Sequence, residues 1–447
     1  MTATGAALTT EQVLALLPGS PAQKAARGLA TPRPWTGLGR SADALWGDCR
    51  GSAKDPYSVA VHLEGPAYKC SCPSPRHPCK HAAGLMLLVA EQPATVTAEA
   101  PPDWVTEWLT ARVQRAERKA ARAAEPPSVD VEAQARRAAQ REERVNDGVA
   151  ELSQALHDVM RRGLGAVQQE GPAFWFRLAA RMTDAQAPGL ATRVEALSRI
   201  AGADEDSTAR PVEQVSLLHL LARGHARLSD LAPPLRATVR TQLGWSQSQA
   251  DLAVRPGTAD RWLVVGSVLA TNGSLRSRRT WLVGAESHQI HLLVDHAHGT
   301  VAFETSYAVG SQMIAEVIPY DGAFPLRVIV KHRSVIQAPA ARCLPTATIR
   351  ECMDQYARAI SLDPWIAWFP MLLANTIPVE HGGAMLAVDE AGHALPLSWS
   401  LEQAWPLIAQ SGGRPLDLFG EWDGQRLTPL SVLDTSGGAR PLTECIE

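Results

Sequence analysis

Residues 69–81 read KCSCPSPRHPCKH and hold three of the seven cysteines in this 447-residue chain, with two histidines and three prolines. One residue separates Cys70 from Cys72, six residues follow, and one residue separates Cys79 from His81. On an extended strand, residues i and i+2 point to the same side, so the first pair can reach one ion. Three thiolates and one imidazole suit tetrahedral zinc in a closed, structural site. The stretch therefore predicts one structural Zn²⁺ ion bound by these four residues.

The residues on either side of the cluster predict a hairpin and a buried helix. YSVAVHL (57–63) alternates apolar and polar residues with the strand period, and AYKCSC (67–72) follows a Gly-Pro turn as its partner. AAGLMLLVAE, which begins at Ala82, is apolar on nearly all sides and predicts a buried helix. We therefore expect a small zinc-stabilised ββα-like module, in which the metal supplies much of the folding energy.

The arrangement C-x-C-x6-C-x-H, entered from a strand and followed by a helix of small residues, resembles the SWIM zinc finger. The resemblance covers about residues 40–92, and the layout is similar to that of bacterial SWIM-finger proteins with the finger near the N-terminus. It implies zinc binding through Cys70, Cys72, Cys79 and His81, and a role in binding DNA or protein. Some bacterial relatives are linked with AAA-type ATPases and von Willebrand A-domain partners, which suggests a similar partner system here.

Three alternatives to this zinc site remain open from the residues alone. A three-Cys, one-His set also binds [2Fe–2S] clusters, although the final cysteine and histidine are then spaced differently. His77 or Cys49 could replace one of the four ligands. The four residues could also be buried side chains that bind no metal.

The charge distribution favours a nucleic-acid partner more than the net charge does. The chain carries −3 overall, but residues 20–90 contain nine Lys/Arg and four Asp/Glu, which gives +5 there and −8 elsewhere. We expect Lys69, Arg76 and Lys80, which surround the metal ligands, to contact phosphates. Three thiolates on Zn²⁺ leave the site at −1, so binding should be modest and steeply dependent on salt.

The chain is long enough for several domains, and its pattern predicts a multidomain α+β protein. We expect a SWIM-type zinc finger module at 1–95 and a charged helical linker at 96–147. A helical domain at 148–248 and an α+β C-terminal domain of unknown role at 249–447 should follow. The stretch 103–147 contains nine basic and nine acidic residues, which is typical of solvated helices rather than of a nucleic-acid-binding arm.

Several function classes are not expected. The sequence has no P-loop, GxSxG or HExxH motif, so we expect neither an enzyme nor a small-molecule substrate. The longest strongly apolar run is far shorter than a membrane span, and the first residues do not form a secretory signal. An odd number of cysteines and no signal favour the cytoplasm. The alternatives are a pure protein–protein scaffold without nucleic-acid binding and an unrecognised enzyme in the C-terminal half.

A second histidine-rich stretch, HQIHLLVDHAHGT (288–300), raises the question of a catalytic metal site. His288 and His291 would face opposite sides of a strand. The residues 295–300 read as a hairpin turn with surface histidines. We therefore expect no metal site there.

Overall fold

The computed structural model describes residues 9–17, 19–51, 54–63, 67–74, 77–124, 131–169, 171–200, 209–299, 301, 303, 305–334, 344–434 and 438–442. Sheets at both ends of the chain flank a helical middle region, so the expected mixed fold with helices and sheets is confirmed. Among the described helices, none is both long and apolar enough to cross a membrane.

The N-terminal lobe is a five-stranded sheet covered by three helices. Its elements are α1 (Thr10–Ala15), α2 (Gly19–Arg27), β1 (Trp35–Arg40), β2 (Ala44–Cys49), β3 (Tyr57–His62), β4 (Ala67–Cys70), α3 (Lys80–Glu91) and β5 (Thr97–Ala98). The strand order is β4-β3-β2-β1-β5, so the expected ββα unit, β3-β4-α3, lies at one edge of a larger sheet. Thr9 caps α1 through a reciprocal hydrogen-bond pair with Gln12, because a Thr side chain satisfies an otherwise unpaired helix N–H.

Helix α3 is the core of this lobe. Its residues from His81 to Val89 are all buried, as its apolar composition predicts. Leu85 and Leu88 pack with Val59 and Val61 of β3. Gly84 allows α2 to approach closely, because a Cβ atom there would lie 2.6 Å from the Cβ atom of Leu29. Cys79 and His81, the expected ligands at the start of α3, are therefore attached to a tightly packed element.

The helical middle region contains α4 (Asp103–Ala124), α5 (Val131–Arg162), α6 (Leu164–Gln169), α7 (Ala173–Asp184), α8 (Pro188–Ile200), α9 (Ala209–Ala226) and α10 (Pro233–Leu243). Helix α4 is not solvated throughout, because Val105 is fully buried against Ala44, Trp46 and Ala60 of the N-terminal lobe. The border expected between residues 147 and 148 falls inside α5, whose residues from Val145 onward enter the core of the bundle.

A closed five-stranded barrel follows the bundle. The elements are α11 (Gln249–Ala253), β6 (Thr258–Asn272), β7 (Leu275–Gly284), β8 (Ile290–His298), β9 (Gln312–Pro319) and β10 (Arg327–Ser334), and the strand order is β10-β8-β7-β6-β9. Strand β6 pairs with β9 through residues 258–263 and with β7 through residues 262–272. A bulge at Val264–Gly266 bends β6, and this bend lets one strand serve both sides of the barrel.

The last part of the chain forms a six-stranded antiparallel sheet that packs on the barrel. It comprises α12 (Ile349–Leu362), β11 (Phe369–His381), β12 (Ala384–Val388), β13 (Ala394–Pro396), α13 (Trp405–Ser411), β14 (Leu416–Trp422), β15 (Leu427–Leu433) and β16 (Ala439–Pro441). Its strand order is β13-β12-β11-β14-β15-β16. A Cβ atom on Gly266 would lie 2.6 Å from the Phe419 ring, so the sheet and the barrel touch where β6 bends.

A buried ion pair joins the barrel to this sheet. Arg279 of β7 donates to both carboxylate oxygens of Glu421 of β14, at 2.9 and 2.8 Å. The Trp281 indole donates to the same carboxylate at 2.7 Å, and Trp368 lies 3.8 Å from the guanidinium. The side chains of Arg279 and Glu421 are only 10% and 3% exposed. Either partner alone would be a buried charge without compensation.

We predict that Glu421→Gln lowers the free energy of unfolding of the C-terminal half by about 3 kcal/mol, because Arg279 keeps its charge and loses its counter-ion. Urea denaturation followed by tryptophan fluorescence measures this change. The matched control is Asp230→Asn, whose partner Arg227 is 68% exposed, and it should change stability by less than about 0.5 kcal/mol. An equal, small effect of both substitutions would contradict the prediction.

Candidate metal centre

The first two ligand positions lie at the end of β4. The antiparallel ladder with β3 pairs Val59 with Cys70, and the Ser71 N–H donates to the Ser58 carbonyl at 3.1 Å. The Ser71 hydroxyl accepts from the Ser58 N–H at 3.0 Å, which fixes the strand one residue beyond Cys70. Because side chains alternate along an extended strand, Cys70 and Cys72 project to the same side.

The other two ligand positions lie at the start of α3. Cys79 is the N-cap residue, and its Sγ atom accepts from the Ala82 N–H at 3.5 Å. His81 is 4% exposed, and its ring lies against Tyr57 with 4.8 Å between centroids. A helix N-terminus carries a partial positive charge, so it favours a thiolate at Cys79.

The four side chains meet in a space that fits one zinc ion. Their ligand atoms all lie within 4.8 Å of one another, and Cys70 Sγ is 3.8 Å from His81 Nδ1. Tetrahedral zinc, with bonds of about 2.3 Å to sulfur and 2.0–2.1 Å to nitrogen, separates its ligand atoms by roughly 3.5–3.8 Å. A contraction of about 1 Å along the longest edges therefore gives the required geometry. Cys70, Cys72, Cys79 and His81 fit the ion as a closed donor set.

The thiols in this cluster already influence one another's pKa. A hydrogen bond from Cys70 lowers the pKa of Cys79 to about 3, and the His81 ring and the Ala82 N–H act in the same direction. The same Cys70–Cys79 bond, with burial, raises the pKa of Cys70. Burial raises the pKa of Cys72. A bound divalent cation would instead ionise all three thiols and leave a net charge of −1.

The alternative ligands lie outside this cluster. Cys49 at the end of β2 is fully buried, its Sγ atom faces the Arg50 carbonyl at 3.8 Å, and burial raises its pKa to about 11. His77 is exposed on the loop before α3. Neither is part of the metal-binding group found among the described residues. The mutual proximity of all four ligand atoms also favours a single ion over a two-iron cluster, which spreads its ligands further apart.

The basic residues expected to contact phosphates occupy different environments. The Lys69 ammonium donates to the Trp104 carbonyl of α4 at 3.4 Å and lies 5.3 Å above the Trp104 ring. Lys80 is exposed on the first turn of α3, at the rim of a groove beside Tyr57 and His81. Arg76 lies outside the described residues. The Lys69–Trp104 contact was missed by the sequence analysis, although the Trp104–Trp108 spacing on α4 indicates an apolar face.

The adjacent residue Tyr68 connects β4 to the barrel. Its hydroxyl group is buried near Ser306 and Arg278. Burial raises the pKa of Tyr68, and both neighbours partly offset that effect. Alternation along β4 therefore directs Lys69 toward α4 and directs Tyr68 to the side of the metal ligands.

The histidine-rich stretch forms no second metal centre among the described residues. The hairpin turn expected at residues 295–300 is wrong over residues 295–298, because these residues continue β8 in its ladder with β7. His296 bonds the Ser277 hydroxyl at 2.9 Å, and His291 packs on Trp262 with 5.4 Å between centroids. Pairing with β7 keeps these residues in a strand, and the local sequence pattern does not show that pairing.

The comparison with known protein families finds a match for the helical bundle and not for the residues of the metal site. Residues 140–243 match a family model described as the SWIM-associated four-helix bundle domain. The match begins inside α5 and ends at the last residue of α10. The bundle is similar to a SWIM-associated domain. No curated protein and no solved structure matches the chain.

We predict that Cys79→Ser loses zinc and hydrogen-exchange protection over residues 40–92, because Cys79 is both a ligand and the cap of α3. The C-terminal half should keep its protection. Elemental analysis of the metal-to-protein ratio and hydrogen exchange by mass spectrometry measure the two effects.

The matched control for this prediction is Cys49→Ala, which removes a buried thiol from the same lobe but outside the cluster. It should keep one zinc ion per chain. Stoichiometric zinc in Cys79→Ser, or loss of zinc in Cys49→Ala, would contradict the proposed ligand set.

Proposed function

We propose that the chain is a zinc-binding interaction protein whose N-terminal lobe contains a SWIM zinc finger that binds DNA, protein partners or both. The observation that carries this proposal is the Cys70, Cys72, Cys79 and His81 cluster, whose ligand atoms lie within 4.8 Å of one another. The match of residues 140–243 to a SWIM-associated bundle supports it, because that bundle follows the finger in the chain.

The zinc ion in this proposal has a structural role. All four positions of its coordination sphere are occupied by protein atoms, so none is open for water or substrate. The ion ties the end of β4 to the start of α3 and so adds to the packing of α3 in the core of the lobe. On this proposal the metal site is not a catalytic centre, and the protein acts through its surfaces.

The DNA-binding form of the proposal rests on the basic segment around the finger. Residues 20–90 carry a net charge of +5, and Lys80 is exposed beside the ligands. The contact of Lys69 with Trp104 reduces its reach toward a phosphate. That contact favours the second form, in which the lobe docks on a protein and belongs to a scaffold such as the AAA-type ATPase and von Willebrand A-domain systems.

Fluorescence anisotropy of labelled double-stranded DNA with the zinc-loaded full-length protein tests the DNA-binding form. We expect binding in the micromolar range that weakens steeply between low and physiological salt. Substitution of Lys69, Arg76 and Lys80 by Gln should abolish it, whereas Arg358→Gln, at an exposed position of α12, should not.

Two outcomes would count against that form. Absence of binding at low salt would exclude DNA as the partner, and unchanged binding by the triple variant would move the contact away from the finger. The protein-binding form is then tested with wild-type and Cys79→Ser chains as baits. A partner retained equally by both would not depend on the finger.

A further inference from the structure

The strand order of the barrel gives a first indication of a second binding site. Numbered along the chain from β6 to β10, the strands close in the order 1-2-3-5-4, and the third and fifth are parallel. This is the strand order of the OB-fold, a barrel whose second and third strands and adjoining loops bind oligonucleotides or oligosaccharides in many proteins. A fold does not assign a ligand, so the argument depends on the residues of the site.

A cavity of about 300 Å³ opens where β8 and β10 separate. The two strands pair at Arg327–Leu292 and Val328–Leu293, and the cavity lies beyond these pairs. Its walls are residues 293–295 of β8 and residues 328–331 and 333 of β10, with Thr305, Tyr307 and Tyr320 from the connecting segments and Gln249 from α11. This volume is at the lower end of the range for ligand sites, so it suits a single small unit.

Charged side chains in the wall of the cavity lie on the same strand faces as residues of the barrel core. Asp295 shares a face of β8 with the core residue Leu293, and Arg278 lies opposite it on β7. Arg278, which is 8% exposed, donates to Asp295 at 2.7 Å. Arg333 pairs with the core residue Ala315, so its side chain also faces inward.

Two tyrosines provide aromatic surface in the same cavity. The Tyr307 hydroxyl accepts from Arg333 at 3.4 Å, and the Arg278 guanidinium lies 5.2 Å from the centre of the Tyr307 ring. The Tyr320 hydroxyl accepts from Gln249 at 3.2 Å, which leaves its own O–H able to donate. A ligand here meets stacking surface and hydrogen-bond donors together.

The balance of charges at the cavity favours an anionic group of low charge. Among the residues that line the cavity, Lys331 and Arg333 are basic and Asp295 is acidic. Outside the lining, Arg278 pairs with Asp295, and Glu316 lies 3.5 Å from the Lys331 ammonium. The local net charge is therefore +1. Such a site attracts one phosphate or two, while the aromatic rings contribute the rest of the affinity.

We propose that this cavity binds one nucleotide unit, as a free nucleotide or within a single strand of nucleic acid. Lys331 and Arg333 contact the phosphate, a base stacks on Tyr320 or Tyr307, and Asp295 accepts a hydrogen bond from the base or sugar. The site uses none of the finger residues, so it does not rest on the function proposed for the N-terminal lobe.

The experiment measures anisotropy of a fluorescein-labelled short oligothymidylate with zinc-loaded full-length protein at several salt concentrations. Two phosphate contacts predict a slope of about −1.4 for log affinity against log salt, because each contact to a single strand contributes about −0.7. Thymidine monophosphate, added as a competitor, shows whether the cavity binds a free nucleotide or a nucleotide within a single strand. Competition at equal nucleotide concentration indicates a free nucleotide, and much tighter oligonucleotide binding indicates a strand.

Variants locate the binding within the cavity. Lys331→Gln and Arg333→Gln should each reduce affinity and reduce the salt slope by about 0.7. Tyr320→Ala should weaken binding about tenfold through the loss of one stacked base. Arg358→Gln, at an exposed position of α12, is the control and should bind as the wild type does.

The proposal is overturned if neither the oligonucleotide nor the nucleotide binds at low salt. It is also overturned if the cavity variants bind as the wild type does while Lys80→Gln does not, since the finger would then be the binding site. Thermal denaturation shows which variants are folded. Lys331→Gln changes a partly exposed side chain, so it tests the cavity even if Arg333→Gln fails to fold.

Discussion

The N-terminal lobe depends on the meeting of β4 and α3 at four ligand atoms. A strand end and a helix start are both places where the backbone leaves regular pairing, and each supplies two donors there. The helix is almost entirely buried, whereas β4 is a four-residue edge strand with little packing of its own. A metal bound at this junction would fix the weaker element to the stronger one.

Strand β4 also transmits that constraint to the rest of the molecule. Cys70 points to the metal position, Tyr68 reaches the barrel near Ser306 and Arg278, and Lys69 lies on the Trp104 ring of α4. Three consecutive residues therefore contact three different parts of the chain. Because a one-residue shift of a strand exchanges its two faces, a bond from Cys70 to a metal would also fix the register of the other two contacts.

The sequence predicts local features well and long-range pairing poorly, for physical reasons. The C-x-C and C-x-H spacings and the apolar run of α3 depend on neighbours within a few residues. The barrel depends on pairs such as Asp260 with Ala315, and on a bulge that only the closed barrel requires. The sequence shows only that Lys69 is a basic residue beside Cys70. Its environment is determined by Trp104, which lies 35 positions further along the chain.

The two candidate binding regions differ in what would hold a ligand. The N-terminal lobe has an excess of positive charge over residues 20–90, and this charge acts at long range and is screened by salt. The barrel cavity has a net charge of only +1, and its arginines are held by Asp295 and Tyr307 in fixed positions. Affinity there comes from shape, stacking and two phosphate contacts, so it should fall less steeply with salt than binding through many phosphates does. Tyr68 links β4 to the Arg278 side of the barrel, but Arg278 is paired with Asp295 within the barrel itself, so loss of the metal should leave the cavity and its ligand contacts in place.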